Sequence, residues 1–215
     1  MANVVELSFP GSGRKNYRSD ISVLTRSIKG DPKTGFCREL SGRGICGVDF
    51  DAVKDAVCSL REGTGFPNDK FCSADCFVRS KEGDCCFIEF KKSTAEALDS
   101  VGEELYEGKP IGVSLRRKAF DSLVLAGMTV AQNETGAELM GKAVFIVVYR
   151  GSAQDALSAL GFGEGLSRVS GQSDSIQGKR GVRWGLSDLK TSGLYKDVHT
   201  WPDSDFVPWA KEHLV

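Results

Sequence analysis

The sequence predicts a single domain of the α/β or α+β class whose centre is a β-hairpin, followed by helices and a buried strand. Three observations favour this class. Two short segments with period-two alternation are joined by a loop that contains a glycine. Longer segments before and after them repeat apolar residues at helical spacing. A continuous β-branched and aromatic run then follows, which is typical of a strand buried on both faces.

The residues before the hairpin divide into an irregular segment and a helix. Glycines interrupt residues 1–48 so often that we expect no regular element there. Val53 and Val57 then recur at helical spacing, and Asp51 precedes them as the predicted N-cap. This is the first helix that the sequence predicts.

The hairpin itself is the clearest pair of strands in the sequence. Its strands are predicted over 74–79 and 85–91, with Gly83 in the loop where a left-handed residue is favoured. Ser93 or Thr94 is expected to cap the helix that follows, because each precedes an amphipathic segment.

The chain beyond the hairpin is predicted to alternate helix and strand. The elements expected there are an amphipathic helix with Leu98, Val101 and Leu105, a helix over 114–126, a buried strand over 143–149, a helix over 153–160, and a C-terminal helix with Phe206, Trp209, Ala210 and Leu214 on one face. Frequent glycines between 151 and 185 indicate a long loop or a loosely formed hairpin.

Composition and charge narrow the class of protein. The chain has 215 residues, with 28 basic and 29 acidic side chains and a net charge of −1, which excludes a polycationic nucleic-acid coat. No apolar run is long enough to span a membrane, and the first residues lack the pattern of a secretion signal. We therefore expect a cytoplasmic protein without a membrane partner, in which the 7 cysteines are reduced thiols.

The candidate site follows from the register of the hairpin. Glu89 and Lys91 lie on one face of the second strand, because side chains alternate along a strand. A hairpin symmetric about Glu82 places Asp75 directly opposite Glu89. Two neighbouring carboxylates favour a cation between them, and oxygen ligands with a substrate phosphate suit Mg²⁺ or Mn²⁺.

These residues resemble the metal-binding pattern of the PD-(D/E)xK nuclease superfamily, in which an Asp starts one strand of a hairpin and (D/E)xK lies on the next. The wider likeness is to a group of uncharacterised bacterial proteins. It is carried by the strand Phe87-Ile88-Glu89-Phe90-Lys91 and the helix segment Lys118-Ala119-Phe120-Asp121-Ser122-Leu123. No proline precedes Asp75, which departs from the pattern.

The resemblance implies a restriction-endonuclease-like fold, with a central mixed sheet flanked by helices and the buried strand beside the hairpin. The single domain of residues 1–215 would then comprise an irregular segment over 1–48, a nuclease-like core over 49–150, and a glycine-rich loop with a C-terminal helix over 151–215. The function implied is divalent-metal-dependent hydrolysis of phosphodiester bonds in DNA or RNA.

The resemblance also assigns roles to particular residues. Asp75 and Glu89 would bind Mg²⁺ or Mn²⁺, and Lys91 would position the attacking water. Arg117 or Lys118 would contact a phosphate. A further acidic residue is expected from the helix before the hairpin, and the candidates for it are Glu39 and Glu62.

Three other interpretations stay open. The chain would be a catalytically inactive nuclease-fold protein that acts as a binding or interaction module, with a protein partner. A second interpretation is that Arg117 and Lys118 contact no phosphate and only pair with Asp121 on the helix surface. A zinc site is a weaker alternative, and it would use the cysteines near the hairpin, Cys72, Cys76, Cys85 and Cys86.

Overall fold

A computed structural model gives the fold of the protein. It describes residues 7–8, 17–24, 37–60, 71–94, 111–128, 130–131, 139–151 and 182–214. None of the helices in these ranges is both long and apolar enough to cross a membrane.

A mixed six-stranded sheet forms the centre of the described fold. In their order across the sheet, its strands are β2 (Arg18–Asp20), β3 (Cys46–Asp49), β4 (Cys76–Arg79), β5 (Cys85–Thr94), β7 (Val144–Arg150) and β8 (Asp197–Pro202). The strands from β2 to β5 are antiparallel neighbours, whereas β5, β7 and β8 run parallel to one another. Two further short strands, β1 (Leu7–Ser8) and β6 (Val130–Ala131), pair with each other.

Helices cover both faces of the sheet. The α-helices are α1 (Ile21–Leu24), α2 (Phe50–Leu60), α3 (Ile111–Met128), α4 (Ser187–Thr191) and α5 (Asp203–His213), and a 3-10 helix spans Arg38–Leu40. Residues of α2, α3 and α4 share one apolar cluster with one face of the sheet, and residues of α1 and α5 share a second cluster with the other face. The layers are therefore helix, sheet and helix, because each sheet face needs an apolar cover.

The hairpin of β4 and β5 has the register that the sequence predicts. Cys76 pairs with Ile88 and Phe77 with Phe87, so continuing the ladder by one residue places Asp75 opposite Glu89. Gly83 has φ 91° in the loop, a conformation that glycine adopts without strain. The expected placement of β7 beside the hairpin is also confirmed, since β7 pairs with β5.

Several sequence predictions need correction. The segment 1–48 is not wholly irregular, because it contains β2, α1 and most of β3. Asp49 rather than Asp51 caps α2, since its carboxylate accepts a hydrogen bond of 2.9 Å from the Ala52 amide. Ser93 and Thr94 are the last residues of β5, and the helix that they were predicted to cap lies outside the described residues.

Other predictions concern the later part of the chain. The helix expected over 114–126 is present as α3, which is longer at both ends. The C-terminal helix is present as α5, but the sequence analysis missed β8, the parallel strand before it. The helix expected over 153–160, the amphipathic helix after Thr94 and most of the glycine-rich loop lie outside the described residues.

Candidate functional site

Four charged side chains meet on the face of the sheet that α3 covers. Asp75 precedes β4, Glu89 and Lys91 lie on β5, and Lys118 comes from α3. Glu89 is buried to 1 % exposure, and the side chains of Asp75, Lys91 and Lys118 are 13 %, 13 % and 18 % exposed. We call these four residues the carboxylate pocket. Their burial is unusual, because charged side chains are seldom buried unless they are paired.

The contacts in the carboxylate pocket centre on Glu89. Lys118 Nζ lies 2.7 Å from Glu89 Oε1 and 2.9 Å from Oε2, so it contacts both oxygens. Lys91 Nζ lies 2.8 Å from Oε1. Lys118 Nζ is also 3.9 Å from Asp75 Oδ1, whereas Asp75 Oδ2 accepts a hydrogen bond of 2.6 Å from the Phe90 amide. Lys118 thus lies within ion-pair distance of both carboxylates.

The electrostatics of the carboxylate pocket show the cost of this arrangement. Burial raises the pKa of Asp75 well above its usual range, and the nearby Glu89 carboxylate raises it further. Lys118 and the Phe90 amide only partly offset these effects. Burial acts against the charge on Lys118, but the Glu89 and Asp75 carboxylates outweigh it and raise the pKa of the ammonium. Burial and Glu89 thus act against the charged form of Asp75, whereas the Lys118 ammonium favours it.

The segment that leads into Asp75 is held by two neighbouring side chains of α3. Asp121 accepts a hydrogen bond of 2.8 Å from the Cys72 amide, and the Ser122 hydroxyl accepts one of 2.9 Å from the Ala74 amide. These residues belong to the same helix segment as Lys118. The motif that carried the family resemblance thus fixes the backbone just before one carboxylate while it supplies the ammonium between both.

Asp51 is a neighbour of the carboxylate pocket that the sequence analysis did not assign to it. The Phe50 amide donates a hydrogen bond of 3.2 Å to the Asp75 carbonyl, which brings the start of α2 to the pocket. The Ser73 hydroxyl donates one of 2.5 Å to Asp51 Oδ1. Asp51 is close enough to influence the pKa of both Asp75 and Lys118. Its position at the start of the helix before the hairpin was the available sequence signal.

The two acidic residues that were predicted for that role do not reach the carboxylate pocket in the described structure. Glu39 is exposed and pairs with Lys211 of α5 at 2.8 Å, on the other face of the sheet. Glu62 lies outside the described residues. Asp51, unlike Glu39, is an acidic residue from before the hairpin that lies near the carboxylate pocket.

The basic residues at the start of α3 do not form one phosphate-binding patch. Arg116 donates to Asp188 at 2.9 Å and to the Gly185 carbonyl at 2.8 Å, whereas Arg117 pairs with Asp121 at 3.5 Å. Lys118 pairs with Glu89, whereas the helix-surface alternative would pair it with Asp121. Consecutive helical residues point about 100° apart, so three in a row cannot share one ligand. A phosphate contact by Arg117 stays a prediction.

The cysteines near the hairpin do not converge on one point. Cys76 and Cys86 pack in the apolar cluster under α5, and Cys85 belongs to the cluster on the opposite face. Burial raises the pKa of the Cys86 thiol to about 12 and that of Cys76 as well, which favours the protonated form. All three are packed as small apolar side chains, and they do not form the zinc site considered above.

The donor set of the carboxylate pocket fits a hard divalent cation better than zinc. Asp75 and Glu89 offer carboxylate oxygens, and Mg²⁺ is commonly held by one or two carboxylates with water and a substrate phosphate. Within the described ranges, no group of three or more His, Cys, Asp or Glu side chains is arranged to hold a metal ion. Any metal here would thus rely on these two carboxylates, and Lys118 would have to yield part of its contact.

Comparisons with other proteins add no relative. The chain matches no protein-family model, no curated protein and no solved structure. Any function proposed for this chain therefore depends on the carboxylate pocket and on the elements that position it.

Proposed function

We propose that the chain is a nuclease-like phosphodiester hydrolase that uses Mg²⁺ or Mn²⁺ and acts on DNA or RNA. The observation that carries this proposal is the convergence of Asp75, Glu89 and Lys91 at one buried position, where desolvation of the charges costs free energy. Buried charges held in this way are characteristic of functional sites.

The topology supports the same proposal. Antiparallel β4 and β5, followed by α3 and by β7 parallel to β5, form the mixed sheet that the nuclease resemblance implies. Asp75 directly precedes one hairpin strand and Glu89 lies within the next, which supports the proposed relationship. A restriction-endonuclease-like fold is therefore part of what we propose.

The residues of the pocket have distinct parts in the proposed reaction. Asp75 and Glu89 would hold the cation, which supplies Lewis acidity and lowers the pKa of a bound water. Lys91 would orient the attacking water and offset the negative charge that grows on phosphorus. The water oxygen would bond to phosphorus as it loses a proton to solvent, and the leaving oxygen would take up a proton from solvent as its bond to phosphorus breaks.

Cleavage assays with single variants test the proposal. Supercoiled DNA, linear DNA and RNA are incubated with the wild type in Mg²⁺, in Mn²⁺ and in EDTA. We expect cleavage with either metal and none in EDTA. Glu89→Gln and Lys91→Met should each lower the rate roughly 10³-fold or more, because each removes a group that acts on the reacting phosphate.

Glu39→Gln is the matched control, since it removes a carboxylate that pairs with a lysine far from the pocket. It should cleave at the wild-type rate. Absence of cleavage by the wild type on every substrate, with the protein folded, contradicts the hydrolase proposal.

A second candidate function is a non-catalytic interaction module of the same fold. The observation that favours it is that both Glu89 oxygens already contact lysine ammonium groups. Recovery of a stoichiometric protein partner, together with no thermal stabilisation by Mg²⁺ or Mn²⁺, would select this function over hydrolysis.

A further inference from the structure

We propose that Lys118 is an internal competitor of the divalent cation. Its ammonium occupies the position between the Glu89 and Asp75 carboxylates, and it has to move away before a metal ion binds both. This inference rests on the metal site of the proposed function, and it assigns to Lys118 a role in regulating that site in place of a permanent phosphate contact.

The carboxylate pocket contains equal numbers of acidic and basic side chains. Two carboxylates face two ammonium groups, so the pocket is balanced without a metal when all four residues are charged. A dication added to this set would leave two excess positive charges beside a Glu89 side chain that is 1 % exposed. Uncompensated charge is costly in such a place, and metal binding therefore requires a cation to leave.

The geometry identifies which lysine has to leave. Lys91 Nζ contacts Oε1 of Glu89 at 2.8 Å. Lys118 contacts both Glu89 oxygens and lies 3.9 Å from Asp75 Oδ1. A metal that binds both carboxylates needs the space that the Lys118 ammonium fills. Lys118 is therefore the cation that the metal displaces.

The chain also provides an alternative location for the displaced ammonium. Lys118 lies on a helix, its side chain has a flexible four-carbon stem, and 18 % of that side chain is exposed. Asp51 is near enough to stabilise its positive charge, and the Asp51 side chain is 46 % exposed at the edge of the pocket. Lys118 can therefore move toward solvent without losing every acidic neighbour.

The competition predicts an effect opposite to that of a lost metal ligand. Lys118→Met removes the competing charge and keeps the length of the side chain. We expect its dissociation constant for Mn²⁺, measured by isothermal titration calorimetry, to be at least about tenfold lower than that of the wild type. Lys211→Met, which removes a lysine from an exposed pair, should bind Mn²⁺ like the wild type. An unchanged or higher dissociation constant for Lys118→Met overturns the inference.

A second measurement uses the wild-type chain and does not depend on the folding of a variant. Brief acetylation with an amine-reactive ester, followed by peptide mass spectrometry, reports the accessibility of each lysine. Saturating Mn²⁺ should increase the modification of Lys118 several-fold, while Lys211 serves as the reference. Equal or lower modification of Lys118 in Mn²⁺ contradicts the displacement.

The two proposals fail in distinguishable ways. If the wild type cleaves nucleic acid in Mg²⁺ while Lys118→Met binds Mn²⁺ no more tightly, the hydrolase stands and the competition is wrong. If Lys118→Met binds Mn²⁺ more tightly but the wild type cleaves nothing, the competition stands and hydrolysis is wrong. If neither protein binds Mn²⁺, the competition is wrong, and so is the metal site on which it rests.

Discussion

The two faces of β5 differ in what they bury. On the face toward α5, Ile88 and Phe90 pack with apolar residues, and the Phe90 and Phe206 rings meet edge to face at 5.8 Å between centroids. On the face toward α3, Glu89 and Lys91 occupy positions that are buried nearly as deeply. One strand therefore holds an ordinary apolar core on one side and a charged pocket on the other.

This difference separates what holds the fold together from what the site requires. Burial of an aromatic ring contributes a few kcal/mol to stability, whereas a buried ion pair contributes little after the cost of desolvation. Apolar residues of similar volume would make the α3 face at least as stable. The charged residues on that face are therefore best explained by a function, and three predictions test this comparison.

The largest expected effect is on the apolar face. Phe90→Ala should lower the free energy of unfolding by about 3–5 kcal/mol, because it leaves a cavity beside Phe206 in the closed cluster under α5. Urea denaturation followed by circular dichroism measures this loss. A loss of less than about 1 kcal/mol would show that this face is not the main source of stability on β5.

A smaller loss of stability is expected on the charged face, and a second substitution there should recover most of it. Glu89→Met removes the carboxylate that pairs with both the Lys91 and the Lys118 ammonium groups, and should cost about 3 kcal/mol. Adding Lys118→Met to that variant removes one unpaired charge and should recover most of the loss. The double variant should nevertheless show no cleavage, so stability and activity would be separated.

Glu39→Met is the control for this pair of variants. The Glu39 side chain is 76 % exposed in its contact with Lys211, so its loss should change stability by less than about 1 kcal/mol. If the double variant is as unstable as Glu89→Met alone, the charges on the α3 face do contribute to folding and the comparison fails.

The smallest expected effect is on the pH dependence of stability. The pKa of Asp75 is higher in the folded protein than in the unfolded chain, so the folded state binds the proton more tightly. This stabilisation is complete below the usual Asp pKa of about 3.9 and is lost as the pH rises toward the raised value. Asp75→Asn should remove the loss, and its stability relative to the wild type in EDTA should rise by about 1–2 kcal/mol between about pH 5 and pH 8.

Urea denaturation at both pH values, with the chelator present throughout, measures this difference. A difference that stays constant with pH would mean that Asp75 ionises in the folded protein as it does in the unfolded chain.

The sequence predicts the parts of the fold and of the site that depend on local patterns. The alternation in β4 and β5 and the position of the loop determine that Asp75 lies opposite Glu89, and the pairing confirms that register. The continuous apolar run likewise predicts β7 as a strand buried on both faces, which its burial confirms.

The features of the fold and of the site that depend on contacts between distant residues could not be predicted from local sequence patterns. Strand β8 begins with Asp197 and ends with Pro202, residue types that are depleted in strands, so its sequence does not indicate the parallel pairing with β7. The direction of Lys118 depends on how α3 crosses the sheet, and a helix-surface pair with Asp121 has the same local spacing. The approach of Asp51 follows from the backbone contact between Phe50 and Asp75, which no periodicity indicates.

The change of strand direction at β5 has a consequence for how the protein acquires its site. Parallel pairing of β5 with β7 requires a long crossover, and α3 lies within that crossover. Loop closure over such a distance is slow relative to formation of the hairpin. A growing chain that has completed only the hairpin therefore still has Asp75 and Glu89 in water, without the lysine between them. The pocket becomes a low-dielectric environment only when α3 has docked, so the chemistry proposed here belongs to the fully folded chain and not to its precursors.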